Sequence, residues 1–509
     1  MQPWRDFRPR RTRSLALGLA VVLVAGGAAT AADFERTRAA IDDAIAGGTV
    51  SVSVAYARGG EIVWQHSRGW ADRERRIEAT PHTMYSLASI SKPITATGLM
   101  ILVERGLVDL DAPVNTYLGA AQLRARVGDV AEATVRRVAN HTSGLPLHYQ
   151  FFYRDEGRPV PSRDETILRY GNLVTAPGER FQYSNLGYGV LDHVLARVSG
   201  RAYEDFMREE VFLPLGLGRC AIGVPEELRG HEAQRYGGDG RPIPFYDFDH
   251  PGASAVYCSA HDLLRFGMFH LGAELSDARE ILSVESRLAM REPSSTGNDR
   301  GYGVAWGVQK IGSITSVGHS GGMGGVATVL SLVPEEDAVF VVLLNSRGPL
   351  GEILDVFRHE ALPEHFEAPS EPEPPPEPTP FAVGEELVGH WSGIVDTYAG
   401  EVPFSLRIRE SGEIHARLGE QLWALVNDPS RADDGLLRGR FVGELPTEDV
   451  ARDPGTLMLQ LALRGDELDG ALTAFTRGDR NKVGNALTHW VVLRRAGDDG
   501  RRSRSVGGS

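Results

Sequence analysis

The sequence predicts an α+β domain built on an antiparallel sheet, followed by a separate, small all-β barrel. Strand patterns occur at both ends of the first part, with helical and Pro/Gly-rich sequence between them. This order favours a sheet assembled from both ends around a helical insertion. A run of alternating proline and glutamate, APSEPEPPPEPTPF at 368–381, then forms an extended linker. The short, partly alternating segments after it are typical of a barrel or sandwich.

The elements of the first part follow from local patterns. The segment FERTRAAIDDAIAGG has the apolar spacing of an amphipathic helix, and SVSVAYARGGEIVWQHSRG predicts two strands around Gly59-Gly60. The segment SKPITATGLMILVERG predicts a helix that starts near Ser89 and ends at Gly106. The stretch VGHSGGMGGVATVLSLVPEEDAVFVVLLNS returns to strand patterns and completes the sheet from its other end.

The second part contains seven candidate strands separated by turn residues. These are LVGHWSGIV, VPFSLRIRES, EIHARLG, GLLRGRFVG, TLMLQLALRG, ELDGALTAF and HWVVLRR. The predicted boundaries are therefore 33–366 for the first domain, 367–381 for the linker and 382–496 for the barrel. The polar segment 497–509 has the composition of a disordered tail.

The first 32 residues have the features of an export signal. The start MQPWRDFRPRRTR is basic, an uncharged apolar stretch follows, and Ala29-Thr30-Ala31 offers small residues for cleavage. We therefore expect a periplasmic or secreted protein, with membrane attachment as the alternative if 1–32 is retained. Export implies an oxidising compartment, where Cys220 and Cys258 could form a disulfide, although the sequence does not decide this.

Composition and motifs exclude several classes of function. The chain has 509 residues and a formal net charge of −14, which argues against nucleic acid as a partner. It contains no HExxH, Walker or dinucleotide-binding motif and no Cys/His cluster, so we expect neither a metal nor a cofactor. The oligomeric state does not follow from the sequence.

Lysine is rare in this chain, and one lysine lies close to a serine. Of 54 Lys and Arg residues, only Lys92, Lys310 and Lys482 are lysine. Arginine stays charged in proteins, whereas a buried lysine can lose its proton and act as a base. Ser89 and Lys92 share a face at the N-terminal end of a predicted helix, where free N–H groups favour developing negative charge. Ser89 is thus a candidate nucleophile with Lys92 as its base; the alternative is a helix cap and a surface lysine.

Two later stretches offer partners for this pair. In FQYSNLGYGVL, Tyr183 and Asn185 are two apart, so in an extended segment both face one pocket. In VGHSGGMGG, His319, Ser320 and Gly321 lie where glycines let a substrate backbone approach a strand edge. Taken alone, the first stretch is better explained as a loop tyrosine with a turn asparagine, and the second has almost no specificity.

In this order, SxxK, YxN and HxG resemble the motifs of the serine hydrolases related to class C β-lactamases, D-alanyl-D-alanine carboxypeptidases and family VIII esterases. HTSGLP at 141–146, GYGVAWGV at 301–308 and VVLLNS at 341–346 are similar to other recurring stretches of that family. The resemblance covers roughly residues 34–360. It implies a β-lactamase/transpeptidase-like fold, an antiparallel sheet flanked by helices plus an all-helical lobe, with the site between them. Some members carry a lipocalin-like C-terminal barrel, which suits residues 382–496.

The resemblance also implies a role for each matching residue. Ser89 would be acylated, Lys92 would be its base partner, and Tyr183 would be the second acid/base group. Backbone N–H groups of Ser89 and Gly322 would form the oxyanion hole. The implied substrate-binding and oxyanion positions are Asn185, His319, Ser320, Gly321 and Gly322.

His319 departs from the family's pattern, because most β-lactamases and penicillin-binding proteins have lysine there. A histidine titrates near about pH 6.5, so we expect its protonation to influence the binding of carboxylate substrates in that range. The expected activity is hydrolysis of peptide or D-amino-acid amides through an acyl-enzyme, with cell-wall peptides among the candidate substrates. The alternatives are a carboxylic ester hydrolase with weak or no β-lactamase activity, and a catalytically silent scaffold. The barrel is expected to shape access to Ser89, or else to be an independent binding module.

Overall fold

The computed structural model describes residues 34–297, 300–366, 381–431, 434–478 and 481–496. The predicted export signal, nearly all of the Pro/Glu linker and the predicted tail lie outside these described residues. None of the helices in these ranges has both the length and the apolar character that crossing a membrane requires.

Up to residue 366, helices and strands are interspersed. In chain order they are α1 Glu35–Ala46, β1 Ser51–Arg58, β2 Glu61–Asp72, β3 Ile77–Glu78, β4 Met84–Ser86, α2 Ser91–Glu104, α3 Asn115–Leu118, β5 Arg124–Ala125, α4 Val135–Ala139, β6 Phe151–Tyr153, α5 Arg163–Tyr170, β7 Asn172–Leu173, α6 Asn185–Ser199, α7 Tyr203–Met207, β8 Cys220–Ile222, β9 Tyr246–Phe248, α8 Pro251–Ser254, β10 Val256–Ser259, α9 Ala260–Leu271, α10 Val284–Arg291, β11 Ser295–Gly297, β12 Arg300–Tyr302, β13 Gly307–Ile311, β14 Ile314–Met323, β15 Val326–Val333, β16 Ala338–Leu344 and α11 Leu350–Ala361. The helix predicted from Ser89 begins at Ser91 instead, because Ala88–Ile90 forms a 3₁₀ turn ahead of it.

A nine-stranded sheet forms the centre of this part, in the order β11-β12-β13-β14-β15-β16-β1-β2-β3. Neighbouring strands pair antiparallel. The last strand, β16, lies beside the first, β1, so that Val54 pairs with Val342. The prediction of a sheet assembled from both ends is therefore confirmed, and the chain between β3 and β11 supplies the helical lobe.

Helices cover both faces of the sheet. Helices α1 and α11 pack on one face, where Val54, Phe340 and Phe357 belong to one buried cluster. On the opposite face, α9 and the helical lobe bury a larger cluster that includes Leu99 of α2 and Leu330 of β15. Strand β14 therefore presents its residues alternately to the α11 side and to the lobe side.

The C-terminal region forms a nearly closed barrel of nine strands, in the order β20-β19-β18-β17-β25-β24-β23-β22-β21. Its elements are β17 Gly389–Thr397, β18 Gly400–Ile408, β19 Ile414–Leu418, β20 Ala424–Leu425, β21 Asn427–Arg431, β22 Leu437–Val442, α12 Glu448–Ala451, β23 Thr456–Arg464, β24 Glu467–Phe475 and β25 Ala486–Arg495. All seven predicted strands are present. Strands β20 and β21 were missed, because one has only two residues and the other, NDPSR, has no alternating apolar pattern.

The barrel packs directly against the first part of the chain. The backbones of Ala486 in β25 and Tyr149 are hydrogen-bonded in both directions. The buried carboxylate of Asp449 in α12 accepts a hydrogen bond from the Tyr170 hydroxyl of the lobe. Salt bridges across the same interface join Arg126 to Asp396, Arg464 to Glu179 and Lys482 to Glu156. The described residues of both parts therefore belong to one compact unit.

A disulfide joins Cys220 of β8 to Cys258 of β10, a pairing that the sequence left open. Strand β10 pairs on its other edge with β4. Because β4 leads directly into the turn that carries Ser89, this three-stranded sheet supports the start of α2.

Candidate active site

Ser89 is half-buried in a tight turn that is held from two sides. Just before it, Ala88 has φ 49°, a left-handed conformation that is strained for alanine. The hydroxyl of Thr328 in β15 donates a hydrogen bond to the Leu87 carbonyl at 2.9 Å. A Cβ atom on Gly321 would come within 2.1 Å of the same carbonyl oxygen. Glycine at 321 therefore lets β14 approach the turn closely.

Lys92 is fully buried, and three oxygen atoms surround its amine. Its Nζ lies 3.1 Å from Ser89 Oγ, 2.7 Å from Asn185 Oδ1 and 3.2 Å from the Ala253 carbonyl oxygen. The amide and carbonyl oxygens can only accept, so each takes one N–H of the amine. A neutral amine has only two N–H groups, and both are used by these oxygens. Its lone pair is then free to accept a hydrogen bond from the Ser89 hydroxyl.

The surroundings of Lys92 favour this neutral amine. Within the described ranges Lys92 takes part in no salt bridge, and the ring centroids of Tyr183 and Tyr188 lie 4.7 Å and 5.6 Å from its Nζ. Burial lowers the pKa of Lys92 well below its usual range. Lys92 can therefore accept the proton of Ser89 when the hydroxyl attacks a carbonyl carbon.

Tyr183 is beside both Ser89 and Lys92. Burial raises the pKa of Tyr183, although a hydrogen bond with Ser89 acts in the opposite direction, so the phenol keeps its proton at neutral pH. The ring of His141 packs against it with the centroids 4.3 Å apart. His141 Nδ1 also accepts a hydrogen bond from the Ser184 N–H at 3.2 Å. The HTSGLP stretch thus fixes the position of Tyr183. Sequence reasoning did not recognise this role of the stretch.

Tyr183 and Asn185 do not lie on one continuous extended segment. Ser184 is the N-cap of α6 and accepts a hydrogen bond from the Gly187 N–H, so Asn185 is already the first helical residue. Both side chains nevertheless reach Lys92. The amide oxygen of Asn185, which we expected to bind substrate, is engaged by Lys92.

His319 is held as a neutral ring. Its Nδ1 lies 2.7 Å from the Ser320 carbonyl oxygen, which can only accept, so this nitrogen carries the proton. Its Nε2 lies 3.0 Å from the Tyr302 hydroxyl and accepts its hydrogen bond. Burial is the main cause that lowers the pKa of His319, to about 3. This direction is opposite to the titration near neutral pH that the sequence led us to expect.

Strand β14 directs its residues to different faces. His319 pairs with Leu330 of the lobe-side cluster, whereas Ser320 pairs with Val329 of the cluster beneath α11. Because side chains alternate along a strand, the Ser320 side chain faces away from the nucleophile, unlike the substrate contact expected of it. Gly322 is exposed, and nothing lies within 4 Å of its Cβ position, so its backbone is open to a ligand.

Besides His141, two further contributors to the site were not found from the sequence. Ala253 acts through its backbone carbonyl, and a backbone contact cannot be recognised from a motif of side chains. Tyr302 lies in the GYGVAWGV stretch, but its bond to His319 depends on the pairing of distant strands.

The barrel forms one wall of a cavity beside Tyr183. The cavity has a volume of about 260 Å³. Gln182 and Tyr183 line it from the catalytic part, and Met458, Gln460 and Arg464 line it from the barrel. A group bound there would contact both parts of the chain.

Two groups of side chains in the described ranges have the spacing of metal ligands. They are His148, Asp249 and His250, and Glu336, Glu364 and His365. The first group is buried, and its carboxylate already accepts a hydrogen bond from each imidazole ring. Asp249 thereby anchors the segment that leads into α8, whose Ala253 carbonyl reaches Lys92.

Residues 31–362 match the family model described as Beta-lactamase. The chain is 28% identical over 334 residues to Penicillin-binding protein 4 of Amycolatopsis lactamdurans, covering 60% of this chain and 85% of that protein. It is 32% identical over 255 residues to Esterase EstB of Burkholderia gladioli, covering 42% and 64%. The structure of D-amino acid amidase from Ochrobactrum anthropi SV3 has a similar fold, with a TM-score of 0.52 and 23% identity over 65% of this chain and 99% of that chain.

Proposed function

The chain belongs to the beta-lactamase family of serine hydrolases, and we propose that it hydrolyses amides of peptides or D-amino acids through a covalent acyl-enzyme. The observation that carries the proposal is the 3.1 Å separation of Ser89 Oγ from the amine of the buried Lys92. A hydroxyl beside a neutral amine is what nucleophilic catalysis by serine requires. A silent scaffold would have no need of Ser89, Lys92 and Tyr183 together, which argues against that alternative.

In the proposed acylation, Ser89 Oγ attacks the substrate carbonyl carbon while Lys92 accepts the hydroxyl proton. The backbone N–H groups of Ser89 and Gly322 stabilise the resulting oxyanion, each such donor contributing about 10²–10³ in rate. Tyr183 then gives its proton to the leaving nitrogen and regains one from Lys92, and the C–N bond breaks. In deacylation, water attacks the acyl carbon and gives a proton to Lys92. Lys92 then returns a proton to Ser89 Oγ as the C–O bond of the acyl-enzyme breaks, which releases the acid and restores the hydroxyl.

The state of Tyr183 supports amide hydrolysis. An amine leaves a tetrahedral intermediate only after it has been protonated, so an amidase needs an acid that still holds its proton. Burial raises the pKa of Tyr183, and the His141 ring fixes the phenol beside the nucleophile.

A second candidate is a carboxylic ester hydrolase, which the neutral state of His319 favours. With a pKa lowered to about 3, His319 offers no positive charge to a substrate carboxylate at neutral pH. Substrates with a free carboxylate, penicillins included, would therefore lack an ionic anchor here, whereas neutral esters and amides do not need one. The identity to Esterase EstB supports the same candidate.

Mass spectrometry of the intact protein tests the nucleophile. The protein is treated in turn with a fluorophosphonate, a penicillin, a D-amino-acid amide and a short-chain ester. We expect a single adduct that Ser89→Ala abolishes and Ser91→Ala keeps, because Ser91 is fully buried and accepts a hydrogen bond from the Val256 N–H. An adduct that persists in Ser89→Ala would overturn the assignment. The relative turnover of the amide and the ester decides between the two candidates.

We also propose that the protein is exported and that residues 1–32 are removed. The basic start, the apolar stretch and the small residues before position 32 support this. The disulfide between Cys220 and Cys258 suits an oxidising compartment. N-terminal sequencing of the mature protein should find a start near residue 32; an intact Met1 would contradict export by cleavage.

For the barrel, we propose that it selects among substrates through the cavity beside Tyr183. Gln460→Trp in β23 should fill part of that cavity and lower kcat/KM for long substrates, with little change for a small ester. Val442→Trp, at an exposed position at the end of β22, is the matched control. Identical substrate profiles in the wild type and Gln460→Trp would favour an independent module.

A further inference from the structure

A buried arginine lies across the sheet from Ser89. Arg358 of α11 is 7% exposed, and its guanidinium donates hydrogen bonds to the hydroxyls of Ser331 at 2.6 Å and Ser316 at 3.3 Å. Within the described ranges it forms no salt bridge, and its Nε has no hydrogen-bond partner. Hydroxyl groups do not neutralise a guanidinium, so its positive charge is buried without a counter-charge.

Arg300, at the start of β12, increases this imbalance. Burial lowers the pKa of Arg358 to about 10, and the charge of Arg300 acts in the same direction. Asp355, on the preceding turn of α11, acts in the opposite direction, but its side chain is exposed and makes no salt bridge with Arg358. At neutral pH the Arg358 guanidinium remains charged, because even a pKa of about 10 keeps arginine protonated.

The two arginines line one cavity of about 260 Å³, which we call the Arg358 cavity. The backbone of β14 at Gly318 and Ser320 borders it, and so does the first turn of α11 at Leu350 and Gly351. The N–H groups of that first turn add positive potential. Sites for drug-sized ligands have volumes of about 300–1,000 Å³, so this cavity suits a smaller group.

We propose that the Arg358 cavity binds a small oxyanion, a carboxylate, sulfate or phosphate group, between Arg300 and Arg358. The forked N–H donors of arginine match the paired oxygens of such a group. The hydroxyls of Ser316 and Ser331 add donors on the sheet side. The anion supplies the counter-charge that the described residues do not provide. His319 also borders the cavity, but Arg358 and its two serine partners lie on the opposite face of the sheet from Ser89.

Thermal unfolding of the full chain tests the proposal. Phosphate, sulfate and acetate are each titrated against chloride at equal ionic strength. We expect at least one of the three to raise Tm in a saturable way, because a ligand that binds only the folded state stabilises it. Arg300→Gln changes an exposed residue, with small risk to the fold, and should weaken the apparent affinity about tenfold. Arg358→Gln should abolish the saturable effect.

The matched control is Arg494→Gln, an exposed arginine of the barrel that pairs with Glu467. It should respond to the anions as the wild type does. Crystals soaked in selenate, which resembles sulfate, should show anomalous density between Arg300 and Arg358. The proposal is overturned if none of the three anions gives a saturable shift, if both arginine variants respond like the wild type, or if selenate binds only elsewhere.

Discussion

Lys92 and Arg358 are both buried basic residues without a carboxylate partner, on opposite sides of one sheet. Burial lowers the pKa of Lys92 well below its usual range, so this amine can give up its charge. Burial lowers the pKa of Arg358 only to about 10, so that guanidinium remains charged at neutral pH. Burial therefore has different consequences for the two residues. It makes Lys92 a base, whereas it leaves Arg358 with a buried positive charge that a bound anion would neutralise.

The comparison also explains why a chain rich in arginine keeps a lysine at 92. Lys310 and Lys482 lie in salt bridges with Glu335 and Glu156, where an arginine would serve as well. Lys92 is the lysine whose surroundings require a group that can be deprotonated.

The largest expected effect comes from placing an arginine, which cannot be deprotonated, at position 92 beside Ser89. Lys92→Arg places a permanent cation beside Ser89 that cannot accept its proton, so kcat/KM should fall by about 10⁴, the upper end for a lost base. Lys310→Arg, at an exposed salt bridge, is the control and should match the wild type. The assay is ester and amide hydrolysis by purified protein. A Lys92→Arg enzyme with turnover near that of the wild type would show that the amine of Lys92 does not act as a base.

The next effect concerns the acid beside Lys92. Tyr183→Phe keeps the ring against His141 but removes the proton donor. Amide hydrolysis should fall by about 10², whereas an activated ester, whose leaving group needs no proton, should lose much less. Both rates are measured on the same preparation, so the ester is an internal control. Equal losses on the two substrates would show that the hydroxyl does not protonate the leaving group.

Much of the catalytic pocket could be predicted from the sequence, whereas the Arg358 cavity could not. The serine, lysine and tyrosine carry side-chain motifs, and the helix of Lys92 and the strands of the central sheet have clear apolar patterns. The Ala253 carbonyl and the hydroxyl of Tyr302 depend on backbone position and on strand pairing over long distances. The low pKa of His319 has the same cause, since burial is a property of the assembled fold.

A third, smaller effect distinguishes the neutral His319 from a charged lysine at the same position. Its pKa of about 3 lies below the usual 6.5, so protonation requires the pH to fall through about 3. From about pH 5 to 8 the ratio of kcat/KM for a carboxylate substrate and its neutral analogue should therefore stay constant. His319→Lys adds a lasting charge and should raise that ratio about tenfold. A ratio in the wild type that falls as the pH rises through 6.5 would mean that His319 titrates in the ordinary range.

The smallest expected effect is that of a substitution in the Arg358 cavity on the free energy of unfolding of the protein. Arg358→Met removes a buried charge that has no partner, and the hydroxyls of Ser316 and Ser331, 3.1 Å apart, can bond to each other. In chloride buffer the free energy of unfolding from urea titration should therefore stay within about 1 kcal/mol of the wild type or rise.

The contrast is Arg163→Met, because Arg163 pairs with the buried carboxylate of Asp192. Leaving that carboxylate unpaired should cost about 3–5 kcal/mol. In saturating sulfate the wild type should gain stability that Arg358→Met does not gain, since only the wild type has the counter-charge to bind. If Arg358→Met loses as much stability in chloride as Arg163→Met does, the guanidinium of Arg358 is already compensated in the folded protein, and the contrast with Lys92 fails.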